Sequence, residues 1–186
     1  MYRSLAKSTA NPSDVQEMKS STLNDRKKSD SVLIQIRRLS ADDRLILQET
    51  FNLLEKDLVS NGIRIFLKTI SENPHYKFFW PQFRAIPDSS LISSSVLRDF
   101  ACTYMKALKT IVESLKTEQI PYEMLRRIST KHAAHNIQIH HIQKMMDPLL
   151  ENVCRALGRR DENAERAWKI LFQTIGIAIE HCKSQT

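Results

Sequence analysis

The stretch "ISTKHAAHNIQIHHIQKMMDPLLENV" (residues 128–153) contains four of the six histidines of this chain of 186 residues. Leu125, Ile128 and His132 are spaced i, i+3 and i+7, so His132 extends an apolar stripe on one face of a helix. His140 and His141 are adjacent, and adjacent helical residues point about 100° apart, so they cannot face one site together. The spacing therefore predicts that His132 reaches into the core from a helix.

A histidine on an apolar face is either a ligand or an ordinary core residue. His132 and His135, at i and i+3, could share a zinc ion, but no Cys, Asp or Glu stands at a convincing spacing to complete the ligand set. A hydrogen-bonded core histidine without any ligand is the second interpretation. The rest of the chain has to decide between them.

The composition favours helices and a reducing compartment. The chain is 41 % apolar, with only 3 glycines and 6 prolines, which is few for a turn-rich β fold. Three cysteines are too few for a disulfide framework, so we expect a cytoplasmic protein. No apolar run is long enough to insert into a membrane, and the beginning of the chain does not resemble a signal peptide. The net charge of +7 comes without a basic block or a nucleic-acid motif, so we expect no nucleic-acid partner.

The chain divides into a tail and one domain. Residues 1–38 are rich in Ser, Lys, Asp and Asn and predict a disordered N-terminal tail, whereas residues 39–183 predict an all-α domain. Ser40, with Asp43 as a weak capping-box partner, is the expected N-cap of the first helix. The segment 37–40 also fits a basophilic kinase site, which would use the same hydroxyl.

Further helices follow from capping residues and apolar period. Ser60 is expected near the start of the second helix, and Gly158 at the end of a continuous helix over residues 139–158. The remaining predicted helices cover residues 74–80, a span from about Ser93–Ser95 to Leu115, residues 120–133 and residues 161–183. Residues 81–95 show no helical periodicity and are expected to form a loop.

The order of these segments resembles that of a globin. The similarity extends over about 145 residues, from Leu39 to about Cys182, and rests on the ordered set rather than on one motif. The segments that carry it are "LSADDRLILQETF" (39–51), "GIRIFLKTISENPHYKFFWPQF" (62–83), "VLRDFACTYMKAL" (96–108), the opening stretch (128–153) and "AWKILFQTIGIAIEH" (167–181). The tail, "WPQF" (80–83) and "IPDSSLI" (86–92) look most like nematode-type intracellular globins.

The resemblance implies a globin fold, a three-over-three helical sandwich around a pocket for haem b (iron protoporphyrin IX). His132 falls on the position of the proximal histidine, whose imidazole ligates the haem iron. Its other ring nitrogen then needs a hydrogen-bond acceptor, which would be the Ile128 carbonyl or the Ser129 hydroxyl.

The distal side departs from the pattern of the family. The distal His or Gln usually lies about 32 positions before the proximal one, which here falls on Phe100, or on Asp99 if the register slips by one. The distal wall implied by the resemblance consists of Phe66, Trp80, Phe83, Phe100 and Tyr104. The Tyr104 hydroxyl or the Trp80 indole N–H could donate to a bound gas, or Tyr104 could be a core residue. A five-coordinate ferrous iron is expected, unless His75 reaches the iron.

The other residues implied for the pocket have ordinary alternatives. Ile137, Ile142, Met145 and Leu149 would line the far side, and would equally serve as core. Lys131, with Arg126 and His135, could pair with the haem propionates, or could form a solvated basic face.

The function implied by the resemblance is reversible binding, and possible transport, of dioxygen or another diatomic gas. The alternative is a redox, electron-transfer or gas-sensing globin in signalling, with the tail contacting a partner or a second copy of the chain. An enzyme is not expected, because there is no fused reductase domain and no distal His or Arg for peroxide chemistry. A helical interaction module that has lost haem is the remaining alternative.

Overall fold

The computed structural model describes residues 36–117 and 122–183. The predicted tail lies outside these ranges except for its last three residues. Of these, Ile36 is buried, and its carbonyl accepts a hydrogen bond from the Leu39 amide at 3.0 Å. The described structure therefore includes contacts ahead of the first predicted helix.

The described residues form helices and no strands. The α-helices are α1 (Ala41–Glu55), α2 (Leu58–Glu72), α3 (Pro81–Arg84), α4 (Asp88–Leu91), α5 (Ser95–Ser114), α6 (Tyr122–Ala134), α7 (Ile139–Gln143), α8 (Met146–Leu157) and α9 (Glu162–Lys183). Two 3-10 helices cover Pro74–Phe79 and Leu115–Thr117. No helix in the described ranges combines the length and the apolar character that crossing a bilayer requires.

The helices pack in two layers. Helix α9 lies against α6 and α1, α5 crosses α2, and α8 packs on α1 and α2. These contacts place α1, α5 and α6 over α2, α8 and α9. Trp168 of α9 is fully buried between the layers, where its indole N–H donates to the Thr50 hydroxyl of α1 at 3.0 Å.

The cap of α1 is confirmed. The Ser40 hydroxyl accepts from the Asp43 amide at 3.1 Å, and the Asp43 carboxylate accepts from the Ser40 amide at 2.9 Å, which completes a capping box. Asp43 is completely buried and also pairs with Arg166 of α9 at 2.7 Å. One carboxylate therefore begins α1 and fastens it to the last helix.

Three local predictions were wrong. Ser60 does not cap α2, which begins earlier, at Leu58, after Asp57. Residues 81–95 are not one loop, because they contain the single-turn helices α3 and α4. The helix predicted over residues 139–158 is two helices, α7 and α8, since the Pro148 ring would clash with the carbonyl four residues earlier in a continuous helix. The predicted end at Gly158 is confirmed, with φ at 73°.

Candidate functional site

His132 lies in the last turn of α6 and is held by the backbone of its own helix. Its Nδ1 lies 2.7 Å from the Ile128 carbonyl oxygen. A carbonyl can only accept, so Nδ1 carries the hydrogen and Nε2 carries the free lone pair. The other acceptor considered, the Ser129 hydroxyl, instead donates to the Leu125 carbonyl at 2.7 Å. The imidazole is therefore oriented with Nε2 available as a ligand atom.

The surroundings of His132 keep its ring neutral. Burial lowers the pKa of His132 below its ordinary value of 6.5, and the charge of neighbouring His135 acts in the same direction. The hydrogen bond to the Ile128 carbonyl opposes this shift without cancelling it. A neutral imidazole is the form that binds a metal ion.

Aromatic side chains from three elements meet opposite this helix. The rings of Phe66 from α2, Phe83 from α3 and Phe100 from α5 lie 4.8 to 5.2 Å apart in each pairing. Phe66 and Phe83 are buried, and Phe100 is half-buried. Asp99 is exposed to solvent, so the register that places Phe100 in the wall is the one observed.

Trp80 connects the two sides of the site. It follows the 3-10 helix Pro74–Phe79, and its ring lies 5.0 Å from that of Phe100 on the distal side. On the other side it lies edge-on to His132 at 5.7 Å and against His135 at 4.8 Å. The Trp80 indole N–H makes no hydrogen bond within the part of the chain that the structure describes.

Tyr104 makes two kinds of contact. Its ring packs in the aromatic wall, and its hydroxyl makes a hydrogen bond where α5 crosses α2. The ring lies 5.6 Å from Phe100, and the hydroxyl donates to the Gly62 carbonyl of α2. Burial raises the pKa of the Tyr104 hydroxyl, so it remains a neutral donor. Gly62 permits this close crossing, because a Cβ there would lie 2.8 Å from Met105 Cγ. The structure favours the core interpretation of Tyr104 over the gas-donor one.

The remaining predicted residues divide by burial. Ile137, Ile142 and Leu149 are buried, and Met145 is half-buried against the same core cluster. Lys131 is exposed to solvent, as its solvated interpretation requires. His75 is also exposed, and its ring contacts within the described ranges are to Tyr76 and Phe79, not to the distal wall.

Two residues that shape the site were missed from the sequence. Gly62 supplies the carbonyl that accepts from Tyr104. The chain has only 3 glycines, so a glycine inside an apolar helix was the available sign of a close helix contact. Lys77, three residues before Trp80, is buried, and nothing in the sequence distinguishes it from a solvated lysine.

A zinc site at the histidines has no support. Within residues 36–117 and 122–183, no group of three or more His, Cys, Asp or Glu side chains is arranged to hold a metal ion. A structural zinc ion needs four such ligands. A single histidine beside an aromatic wall suits instead a metal whose other ligands come with a cofactor.

The comparison with protein families decides the class. The globin family matches residues 63–179, which is more than half of the chain. The chain belongs to the globin family. Its all-α, three-over-three globin fold, predicted from the sequence, is thereby confirmed.

Individual relatives agree with this assignment. Cytoglobin-1 of Oryzias latipes is 29 % identical over 98 residues, which are 52 % of this chain and 55 % of the relative, so the match spans about half of the length of that protein. A hexacoordinated haem protein from an anhydrobiotic tardigrade, crystallised at pH 4, superposes with a TM-score of 0.67 over 78 % of this chain and 96 % of the other. That pair is 23 % identical, so the likeness concerns the fold.

Membership in the globin family implies a haem group, and the residues present fit one. A planar apolar macrocycle needs apolar walls and one axial donor. The buried Phe66 and Phe83, with half-buried Trp80 and Phe100, would form such a wall, and His132 would offer Nε2 as the donor.

Proposed function

We propose that this globin binds haem b and that His132 Nε2 is the axial ligand of the iron. The observation that carries the proposal is the hydrogen bond from His132 Nδ1–H to the Ile128 carbonyl. It fixes the tautomer, orients the ring and increases the basicity of Nε2. When bound, haem supplies an iron atom at which a diatomic gas or an electron is exchanged.

The chain contributes a dry site. Phe66 and Phe83 exclude water on the distal side, and Ile137, Ile142 and Leu149 close the far side with buried apolar surface. Met145, half-buried, would complete that lining, and exposed Lys131, on the helix that carries His132, would pair with a propionate at the rim. Burial of apolar surface against the macrocycle would then supply much of the affinity for haem.

The principal function that we propose is reversible binding of dioxygen or another diatomic gas. Phe100, at the expected distal position, has no polar side-chain atom and would offer the iron no ligand. The Tyr104 hydroxyl already donates to the Gly62 carbonyl. Among the five wall residues, the Trp80 indole N–H is therefore the donor that makes no hydrogen bond within the described residues. We therefore expect a five-coordinate ferrous iron with weak stabilisation of polar ligands.

The Tyr104–Gly62 hydrogen bond also favours a second function. A pocket poor in donors holds dioxygen loosely, because distal donors decide between gas binding and electron transfer. A redox or gas-sensing role in signalling fits such a pocket better than bulk oxygen transport does. The same proposal includes membership in the nematode-type intracellular globins and a cytoplasmic location. It also includes a partner or second copy bound through the tail, and a binding rather than an enzymatic role.

Spectra and ligand kinetics of the full-length protein test this function. The reduced protein should show a five-coordinate ferrous spectrum, and stopped-flow mixing should show rapid release of dioxygen. Slow release would favour oxygen storage or transport over redox or sensing. A six-coordinate ferrous spectrum without added ligand would contradict an open gas site, and absence of haem binding would reject the proposal.

A further inference from the structure

Lys77 is an unusually buried lysine in the segment that leads to Trp80. Its side chain is 9 % exposed, whereas lysines are almost never buried unless they are paired. It lies in the 3-10 helix Pro74–Phe79, three residues before Trp80. A buried ammonium group must find hydrogen-bond acceptors, and these define what Lys77 does.

The acceptors lie at the far end of the following loop. Lys77 Nζ donates to the Ile86 carbonyl oxygen and to Asp88 Oδ1, each at 2.5 Å. The Asp88 side chain is 87 % exposed, so water screens this ion pair and its contribution is small. The charge-assisted hydrogen bond to the Ile86 carbonyl is the stronger of the two, because the Lys77 side chain is buried and water screens this bond less. Together the two bonds close residues 77–88 into a loop.

This loop carries two side chains of the distal wall, and they are anchored differently. Phe83 is fully buried and packs on Phe66 and Phe100. Trp80 is only half-buried, and its N–H makes no hydrogen bond within the described residues. Its position therefore depends on ring contacts and on the backbone of the loop that Lys77 closes.

The place that Trp80 occupies matters for access. Its ring reaches Phe100 on the distal side and both His132 and His135 on the other, at 4.8 to 5.7 Å. A ring that contacts both sides of the site bridges them. Movement of this ring would open the space between them to water and to small molecules.

We propose that Lys77 is a positioning residue that holds Trp80 between the two sides of the haem site and thereby restricts both gas entry and haem loss. The inference rests on the proposed function for what the site contains. The closure of the loop and the placement of Trp80 can be measured without haem.

Tryptophan fluorescence of the full-length chain tests the placement. The chain has two tryptophans, and Trp168 is fully buried, so acrylamide quenching before haem is added reports mainly on Trp80. Lys77→Met keeps the aliphatic stem and removes the donor, and it should raise the quenching constant severalfold. Lys77→Arg keeps a positively charged donor and should keep the quenching constant near that of the wild type. Lys106→Met, at an exposed position of α5, is the matched control and should leave quenching unchanged.

A second pair of variants keeps the test valid if Lys77→Met does not fold. Lys77→Leu removes the donor with a different apolar side chain and should also raise quenching. Asp88→Asn removes only the screened ion pair and should have little effect. Circular dichroism establishes that each variant retains its helices.

Transfer of haem to a scavenging apoprotein gives the second readout. Haem loss should accelerate severalfold in Lys77→Met and remain at the wild-type rate in Lys106→Met. Unchanged quenching in folded Lys77→Met or Lys77→Leu would overturn the role of Lys77, whether or not haem binds. A wild-type chain that takes up no haem would reject the proposed function, while the quenching result would still decide whether Lys77 places Trp80.

Discussion

Under the proposed function, the hydrogen-bond partner of the Tyr104 hydroxyl determines how polar the distal side of the haem site would be. The hydroxyl donates to the Gly62 carbonyl and so ties α5 to α2 instead of facing the space beside Phe100. Tyr104→Phe removes one hydrogen bond, so the free energy of unfolding should fall by about 1 kcal/mol. The dioxygen dissociation rate should remain close to that of the wild type. Urea denaturation and stopped-flow mixing measure the two effects, and a sharp rise in the dissociation rate would show that the hydroxyl reaches the gas.

His132 should make the stability of the haem-free chain depend on pH. Burial lowers the pKa of His132 below 6.5, so the folded chain binds this proton less readily than the unfolded chain does. The free energy of unfolding should therefore fall as the pH drops below 6.5 towards the folded pKa, and this group should contribute no pH dependence well above 6.5. Urea denaturation at several pH values measures the slope. His132→Gln should flatten it, and an unaltered slope in that variant would assign the titration to another group.

Sequence reasoning reached His132 but not every contact around it. The i, i+3, i+7 spacing was enough to place His132 on the apolar face, and the two possible acceptors were both near in sequence. The choice between them follows from a local competition, since a helical serine tends to donate to the carbonyl four residues earlier, as Ser129 does. The direction of the Tyr104 hydroxyl could not be predicted, because its acceptor is 42 residues away on another helix.

At the scale of single helices, two serines test how α1 and α2 begin. Ser40 makes the capping box of α1, so Ser40→Ala should lower the free energy of unfolding by about 1 kcal/mol. Ser60, which the sequence also suggested as a cap, lies inside α2 and makes no cap hydrogen bond. Ser60→Ala is the matched control and should be neutral or slightly stabilising, because alanine has the higher helix propensity. Thermal and urea denaturation compare the two variants, and equal losses would contradict the observed helix starts.

Helix ends were predicted well where one residue type enforces them, and poorly elsewhere. Gly158 ends α8 because it adopts a positive φ, and Ser94 begins α5 by accepting from the Leu97 amide at 3.1 Å. The break between α7 and α8 was missed although Pro148 was visible, because the apolar period continues across it. The single-turn helices α3 and α4 are too short to show a periodic pattern.

At the scale of the whole molecule, the two-layer arrangement was predicted through the order of its segments rather than through any one of them. The wall residues come from α2, the segment before α3, α3 and α5, and the packing of α5 across α2 brings them together. Composition and helical spacing could predict that the wall residues are apolar and that several of them lie on the apolar face of a helix. They could not predict that Lys77 would close the loop that carries Trp80. That closure depends on a side chain meeting a carbonyl nine residues later, for which the sequence has no pattern.

The central claim is that His132 holds the haem. The direct test is the Soret absorption of the reconstituted full-length protein beside His132→Ala, with His135→Ala as the matched control. We expect the band to be lost or strongly shifted in His132→Ala, restored by added imidazole, and retained in His135→Ala. An unchanged Soret band and ferrous spectrum in folded His132→Ala would contradict the assignment of the axial ligand.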